Sequence, residues 1–304
     1  MYKKYNTPIL FLIFNRPDLT NLVWKEIAAL KPTKLYIAAD GPRNSKEEKI
    51  CKETRLITEN IDWECEVNRL YRNTNLGCKE AVSSAITWFF DNVEAGVILE
   101  DDCLPNYSFF SFCREMLDYY HNDLSVGHIN GSNHLEKGFD VGNDSFYFSK
   151  YAHVWGWATW ARVWKYYSIF NMSEKYTFST FFNSFMERVY WWDKFRQTRR
   201  EKINTWDYQW TYTLWAMGFK TITPSKNTIV NIGINNKATH SSIFNYRVKR
   251  YVDKKREDIT EMIYPINKEI NIDADKSIYA RLYNRFFISN IYIVLKFILY
   301  GGKN

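Results

Sequence analysis

The chain has 304 residues, 46% hydrophobic and 25% charged; this is the make-up of a globular protein with a proper core and excludes a disordered chain. The formal net charge of +7 suits anionic partners such as nucleotides, nucleic acid or an anionic membrane face, and selects none of them. The five cysteines form no CxxC, so neither a disulfide framework nor a zinc site is indicated, and a reducing cytosol fits best.

The N-terminal stretch, MYKKYNTPILFLIFNRPD, lacks a small-residue cleavage site and meets Asn15-Arg16 too early for a signal peptide. Its apolar run Pro8 to Phe14 reads as a buried strand. Asp18 to Leu30 predicts a helix with Leu19, Leu22, Val23, Ile27 and Leu30 on one face. Leu35 to Ala39 predicts a second buried strand that ends at Asp40-Gly41-Pro42-Arg43. Residues 44–60 read as a charged helix, Cys65 to Tyr71 as a strand, Asn75-Leu76-Gly77 as a turn and Lys79 to Phe90 as a helix. Gly96 to Leu99 predicts a fourth strand, running into Glu100-Asp101-Asp102, and Tyr107 to Tyr120 a helix. Strands alternating with helices imply right-handed crossovers and a mainly parallel α/β sheet.

After about Val126 the pattern changes. VGHING and SFYFSK read as strands, HVWGWATWARVW is dense in tryptophan, 177–201 predicts a long helix, Asp207 to Met217 a shorter one, and Lys220 to Ile232 is strand-like. No run reaches the roughly 20 apolar residues of a membrane span. The tail segment FFISNIYIVLKFILY, with Arg281, Arg285 and Lys296 nearby, admits two readings: an interfacial helix or a helix docked on the core.

In an open α/β sheet, ligands bind beyond the carboxyl ends of the strands. Three strands here end in polar clusters: Asn15-Arg16, Asp40-Gly41-Pro42-Arg43 and Glu100-Asp101-Asp102. Together they describe a pocket whose acids suit a hard divalent cation and whose bases suit phosphate. The bland alternative for the three acids is a solvated turn or a helix N-terminal cluster. Asp207, after Trp206 and at a helix start, is either a structural acid or a general base. Trp155, Trp157, Trp206 and Trp210 are either core or the wall of a sugar site.

The motifs IFNRPD, ADGPR, NLGCKEA and a strand ending in EDD, in that order, resemble those of GT-A glycosyltransferases, in particular the N-acetylglucosaminyltransferase I-like group and its bacterial relatives. HVWGWATW, TWDYQW and ATHSS are similar to that group's Gly-Trp segment before the acceptor site, its Trp-Asp segment with the catalytic base, and its late Ser-His segment near the donor. The likeness spans roughly residues 8–242. It implies a Rossmann-like twisted sheet with helices on both faces. Residues 1–150 would form the donor half and 151–245 the acceptor half, with 246–304 a helical extension.

The resemblance further implies that Asp102 is the direct Mn²⁺ or Mg²⁺ ligand, with His240 near the metal or diphosphate, and that Glu100 and Asp101 contact the ribose or donor sugar. Asp40, beside Gly41, would accept from the uracil ring. Phe14, Asn15, Arg16 and Arg43 would line the base and phosphate pocket. Lys79 would approach the diphosphate, although its helix position equally fits surface exposure. Where the relatives carry a histidine before the NLG-like turn, this chain has Tyr71-Arg72, which leaves the base contact and the donor identity open. Asp207 would be the catalytic base, and Trp155, Trp157, Trp206 and Trp210 the acceptor residues.

The expected activity is metal-dependent, inverting transfer from a UDP-sugar to a glycan or lipid-linked acceptor of a bacterial surface polysaccharide. Retention needs another geometry, which the sequence leaves open. The expected setting is the cytoplasm, with the inner membrane face as a further partner and no nucleic acid. Two rivals fit less well. A nucleotidyltransferase needs a Gly-rich basic loop after the first strand, where this chain has FNRPDLT. A non-catalytic nucleic-acid or carbohydrate binder has no use for three acids at a strand end.

Overall fold

The computed structural model describes residues 4–167, 182–234, 254–284 and 287–300. His240 and Arg285 lie outside these described residues. One eight-stranded sheet organises the molecule. Its strands are β1 (Ile9–Ile13), β2 (Lys34–Ala39), β3 (Glu66–Tyr71), β4 (Ala95–Glu100), β6 (Val126–Asn130), β7 (Phe146–Ser149), β8 (Trp157–Trp160) and β9 (Lys220–Pro224), in the order β3-β2-β1-β4-β8-β6-β9-β7. β5 (Cys103–Pro105) and β10 (Ile229–Asn231) form a separate antiparallel pair. Lys220 to Ile232, read from sequence as one strand-like stretch, is thus two strands in two sheets.

The β3-β2-β1-β4 half is wholly parallel. β8 then inserts antiparallel between β4 and β6, β9 runs parallel to β6, and β7 closes the edge antiparallel to β9. The tryptophan-dense segment therefore supplies an inner strand. The boundary expected near residue 150 falls within a continuous sheet, with β7 and β8 on either side of it.

The helices lie on both faces, and the register shows why. Leu10, Tyr36 and Ile98 are partners across β1, β2 and β4, as are Phe11, Ile37 and Leu99. Alternation along a strand puts these two sets on opposite faces. Tyr36 meets Phe89 of α3 (Gly77–Phe90) edge-on at 5.1 Å. Phe11 stacks on Trp24 of α1 (Pro17–Leu30) at 6.4 Å. All five residues of β1 are buried, so a strand covered on both sides reads as an unbroken apolar run.

Local chemistry sets the helix starts. Pro17 opens α1, where a missing N–H costs nothing. Asn44 caps α2 (Ser45–Leu56) and Asn106 caps α4 (Tyr107–Tyr119), each through its side-chain oxygen. Three further helices follow: α5 (Ala161–Trp164), α6 (Phe185–Arg199) and α7 (Asp207–Ala216). The long helix expected over 177–201 is described from Phe185, where Ser184 caps it; residues 168–181 lie outside the described set. α8 (Ile272–Ile278) continues into a π-helical turn, Tyr279–Tyr283, and α9 (Phe287–Tyr300) closes the described chain.

Candidate active site

Parallel β1, β2 and β4 bring their carboxyl ends to one edge, and the three polar clusters meet there. A cavity of about 480 Å³ opens at this edge. Phe14, Arg16, Asp40, Arg43, Arg72, Glu100 and Asp101 all line it, together with Asn75, Cys78 and Asn204. A second cavity of about 770 Å³ shares Arg16 with the first and adds Asn15, Asp102 and Trp155. A third, of about 230 Å³, shares Trp155 with the second and contains Asp207, His134 and His153. The sequence-predicted residues from the β1, β2 and β4 edge thus adjoin Asp207 through Arg16, Asp102 and Trp155.

The acid run is not uniform. Glu100 is the last residue of β4, whereas Asp101 and Asp102 turn off it. Asp101 accepts from the Phe14 backbone N–H at 3.2 Å. Asp102 accepts from Arg16 Nη1 at 2.6 Å and from Asn231 Nδ2 at 3.2 Å. Among the described residues, none hydrogen-bonds the Glu100 carboxylate. Burial, then the charges of Asp102, Asp101 and Asp207, push the Glu100 carboxyl up to about 8. Burial pushes Asp101 up to about 6 against the pull of Arg16. Arg16 is driven up despite its own desolvation, because Asp101 and Asp102 flank it.

Asp102 is walled in by β10. Ile232 N–H donates to its backbone oxygen at 2.8 Å, and a Cβ on Gly233 would stand 2.3 Å from Asp102 Oδ2. Only glycine permits that approach. No set of three or more His, Cys, Asp or Glu side chains is grouped to hold a metal among the described residues. The donor set nevertheless fits a hard cation that brings oxygen ligands of its own. Asp101 and Asp102 offer carboxylates side by side, their charge exceeds what one guanidinium balances, and Arg16, with its side chain 47% exposed, already stands as a cation against Asp102.

Asp40 faces the first cavity, but its carboxylate already accepts from the backbone N–H groups of Gly41, Leu76 and Gly77 and from Asn75 Nδ2, all between 2.9 and 3.1 Å. It holds the turn that starts α3. Gly41 is required there for space, since a Cβ would sit 2.4 Å from the Thr74 backbone. The sequence shows an acid at one strand end and an Asn-Leu-Gly turn after the next, and only the fold joins the two.

Arg43 pairs with Glu47 and lies 5.4 Å over the Phe14 ring. Glu47 also accepts from Asn15 Nδ2 at 3.1 Å, a contact with no sequence signal beyond a charged helix. Arg72 donates to Ser84 Oγ at 2.8 Å, and burial lowers its pKa. Lys79 lies 4.0 Å from Glu201 and is not among the residues that line these three cavities.

Asp207 is the first residue of α7, accepts from the Thr205 hydroxyl, and has its pKa raised by burial. The acceptor wall needs correction. Trp157, Trp206 and Trp210 are buried. Trp157 stacks on Trp206 at 5.7 Å and lies 5.6 Å from Trp210, so these rings are core beneath Asp207. Of the four expected tryptophans, Trp155 lines the second and third of these cavities. The third cavity instead recruits Tyr190, Trp191, Tyr208 and two buried histidines. Desolvation keeps both histidines neutral, depressing His134 to about 3 and His153 well below its usual range. A Trp-Asp pair in sequence does not announce histidines 54 and 73 residues upstream.

No protein-family model and no curated protein matches the chain. Among solved structures it is similar to TarS residues 1–349 from S. aureus, at 10% identity and a TM-score of 0.43, over 84% of this chain and 67% of that one. It is also similar to HddC from Yersinia pseudotuberculosis, at 11% identity and a TM-score of 0.35, over 80% of this chain and 97% of that one.

Proposed function

We propose that the protein is a glycosyltransferase that uses a nucleotide diphosphate-sugar, with a UDP-sugar as the donor class. The observation that carries this reading is the row of three adjoining cavities, which runs from the strand-end acids and arginines through Asp102 and Trp155 to Asp207. A nucleoside diphosphate needs an apolar slot for its base and cations for its phosphates. Phe14 with Arg43 above it offers the first, and Arg16, Arg43 and Arg72 offer the second. The third cavity is small, aromatic and bears a carboxylate, which suits the ring and hydroxyl of an acceptor sugar.

In this reading Asp207 takes the proton of the acceptor hydroxyl as that oxygen attacks the anomeric carbon. Its burial-raised pKa strengthens it as a base. Arg16 leaves Asp102 for the diphosphate when the donor arrives. Asp102, with Asp101 beside it, would hold Mn²⁺ or Mg²⁺, which when bound supplies Lewis-acid stabilisation of the departing diphosphate. Asp40 keeps the α3 turn in place and reaches the base only through that turn. Inversion by single displacement is the stereochemistry proposed. The lipid-linked or glycan acceptor, the role in surface polysaccharide synthesis, and a place for His240 near the diphosphate belong to the same proposal.

The deciding experiment is a screen of nucleotide-sugars for slow hydrolysis with Mn²⁺ present, with calorimetric titration of UDP in parallel. A UDP-sugar that turns over, and UDP binding that strengthens with Mn²⁺, are expected. Metal-independent nucleotide binding without turnover of any sugar donor would overturn the reading.

A further inference from the structure

The C-terminal helix is apolar on the wrong side for a soluble protein. α9 rests on α6 through Phe297, which meets Phe185 at 5.7 Å and Trp192 at 5.3 Å, with the Arg188 guanidinium 5.6 Å over the Phe297 ring. Ile293 is buried on the same side. The side turned away carries Ile291 (47% exposed), Tyr292 (61%), Leu295 (54%), Ile298 (64%) and Leu299 (64%). At 100° per residue these five fall within one arc of about 120°, and no polar residue interrupts it. An exposed face of this kind on a docked helix marks an interaction surface.

The edge of that arc is basic. Tyr292 and Lys296 line a groove of about 380 Å³ between α9 and the end of α6, which also holds Arg196, Arg200 and Lys202. Asp193 is the single carboxylate among its lining residues; it is buried and accepts from Gln197. Lys296 lies 4.2 Å over the Tyr292 ring, so a cation and an aromatic share the rim between the apolar arc and the groove. The helix has 14 residues, about 21 Å at 1.5 Å per residue, against a hydrocarbon core of about 30 Å. Among the described residues no helix is long and apolar enough to cross a membrane.

We propose that this face docks the protein in the interface of an anionic bilayer. The Ile291–Leu299 arc enters the acyl boundary, Tyr292 sits at headgroup depth, and Arg200, Lys202 and Lys296 meet lipid phosphates. An apolar stripe with flanking cations is the chemistry of an interfacial helix. The charge complementarity of the groove favours a lipid surface over a second copy of this chain, whose matching face would bring the same cations. This proposal is independent of the donor site and survives its failure.

The test uses the full chain and sedimentation with vesicles, either pure phosphatidylcholine or phosphatidylcholine with phosphatidylglycerol. Binding to the anionic vesicles is expected to be salt-sensitive and stronger than to the zwitterionic ones. Leu295→Asp with Ile298→Asp should weaken it by at least about tenfold, because charge at that depth opposes insertion. Arg200→Glu with Lys202→Glu should weaken it by a similar factor at low salt. If the apolar pair disturbs folding, as a thermal melt would show, the charge pair carries the test, since both of its residues are exposed. Absence of binding to anionic vesicles overturns the proposal. So does a concentration-dependent dimer, seen by light scattering, that the Leu295→Asp and Ile298→Asp pair dissolves.

Discussion

Two groups of buried and half-buried acids in this molecule look alike in composition and differ in satisfaction. At the edge of β4, Asp102, Asp101 and Asp207 all act on Glu100, while Arg16 contacts Asp101 and Asp102 and Lys194 acts on Asp207. At the end of β7, Lys150 Nζ pairs with Glu187 at 2.7 Å. Glu187 also accepts from the Tyr151 hydroxyl and from Asn183 N–H at 2.7 Å. Asp275 accepts from Ser149 Oγ and from Lys150 N–H. This second group ties α6 and α8 to the sheet, and each of its carboxylates has donors on it. A network so satisfied fixes structure. The first group keeps an acid without a donor among the described residues and opens on cavities, which makes it the candidate site. The contrast separates architecture from chemistry better than burial alone.

The sharpest way to break the comparison is to remove one acid from the open group. Asp207→Asn keeps the shape and the first position of α7 but removes the proton acceptor. Turnover is expected to fall by about 10²–10⁴-fold, with UDP affinity in Mn²⁺ unchanged. A variant that loses nucleotide binding along with turnover would place Asp207 with the architecture instead. Kinetics and titration calorimetry on the same preparation distinguish the outcomes.

The closed group predicts the opposite pattern. Lys150→Met leaves Glu187 and Asp275 facing each other without their cation, and breaking a buried pair from one side costs on the order of 3–5 kcal/mol. Urea denaturation should show that loss, while donor affinity of the folded fraction stays near the parent value. A change below about 1 kcal/mol, within the range of an exposed pair, would mean that the network carries little of the fold.

What was legible in the sequence follows the same division. The parallel half announced itself because buried strands make continuous apolar runs and their helices show a 3.6-residue period. The strand-end clusters were legible because β1, β2 and β4 must deliver Asn15-Arg16, Asp40 and Glu100–Asp102 to one edge once they are parallel. The second half was harder. A tryptophan-rich inner strand and a tryptophan-rich sugar site have the same composition, and only the pairing of Trp157 with Ile98 decides for the strand. Lys150, Glu187 and Asp275 lie 37 and 125 residues from the first of them along the chain, so no local pattern could have joined them. Asp40 is legible by its position at a strand end, whereas its bonds to Leu76 and Gly77 depend on tertiary closure.

The smallest effect tests the electrostatics of the open group directly. The Glu100 carboxyl stands at about 8 in the folded protein and has an ordinary value of 4.5. Below pH 4.5 it is protonated in both folded and unfolded chains, and its contribution to stability is fully present. Between 4.5 and 8 the unfolded chain releases the proton more readily than the folded one, so that contribution is lost as pH rises. Glu100→Gln cannot titrate. The stability of the variant relative to the parent should therefore climb from pH 4.5 to pH 8, by about 1–3 kcal/mol, the modest range reflecting a carboxyl that still meets solvent. Asp101 at about 6 and Asp275 at about 7 titrate in the same window, but they are present in both proteins and largely cancel in the difference. Urea midpoints at pH 5 and pH 8 measure it. A gap that stays constant across that interval would mean that Glu100 is ionised in the free protein at neutral pH, and the open group would then hold its negative charge without the crowding inferred from its geometry.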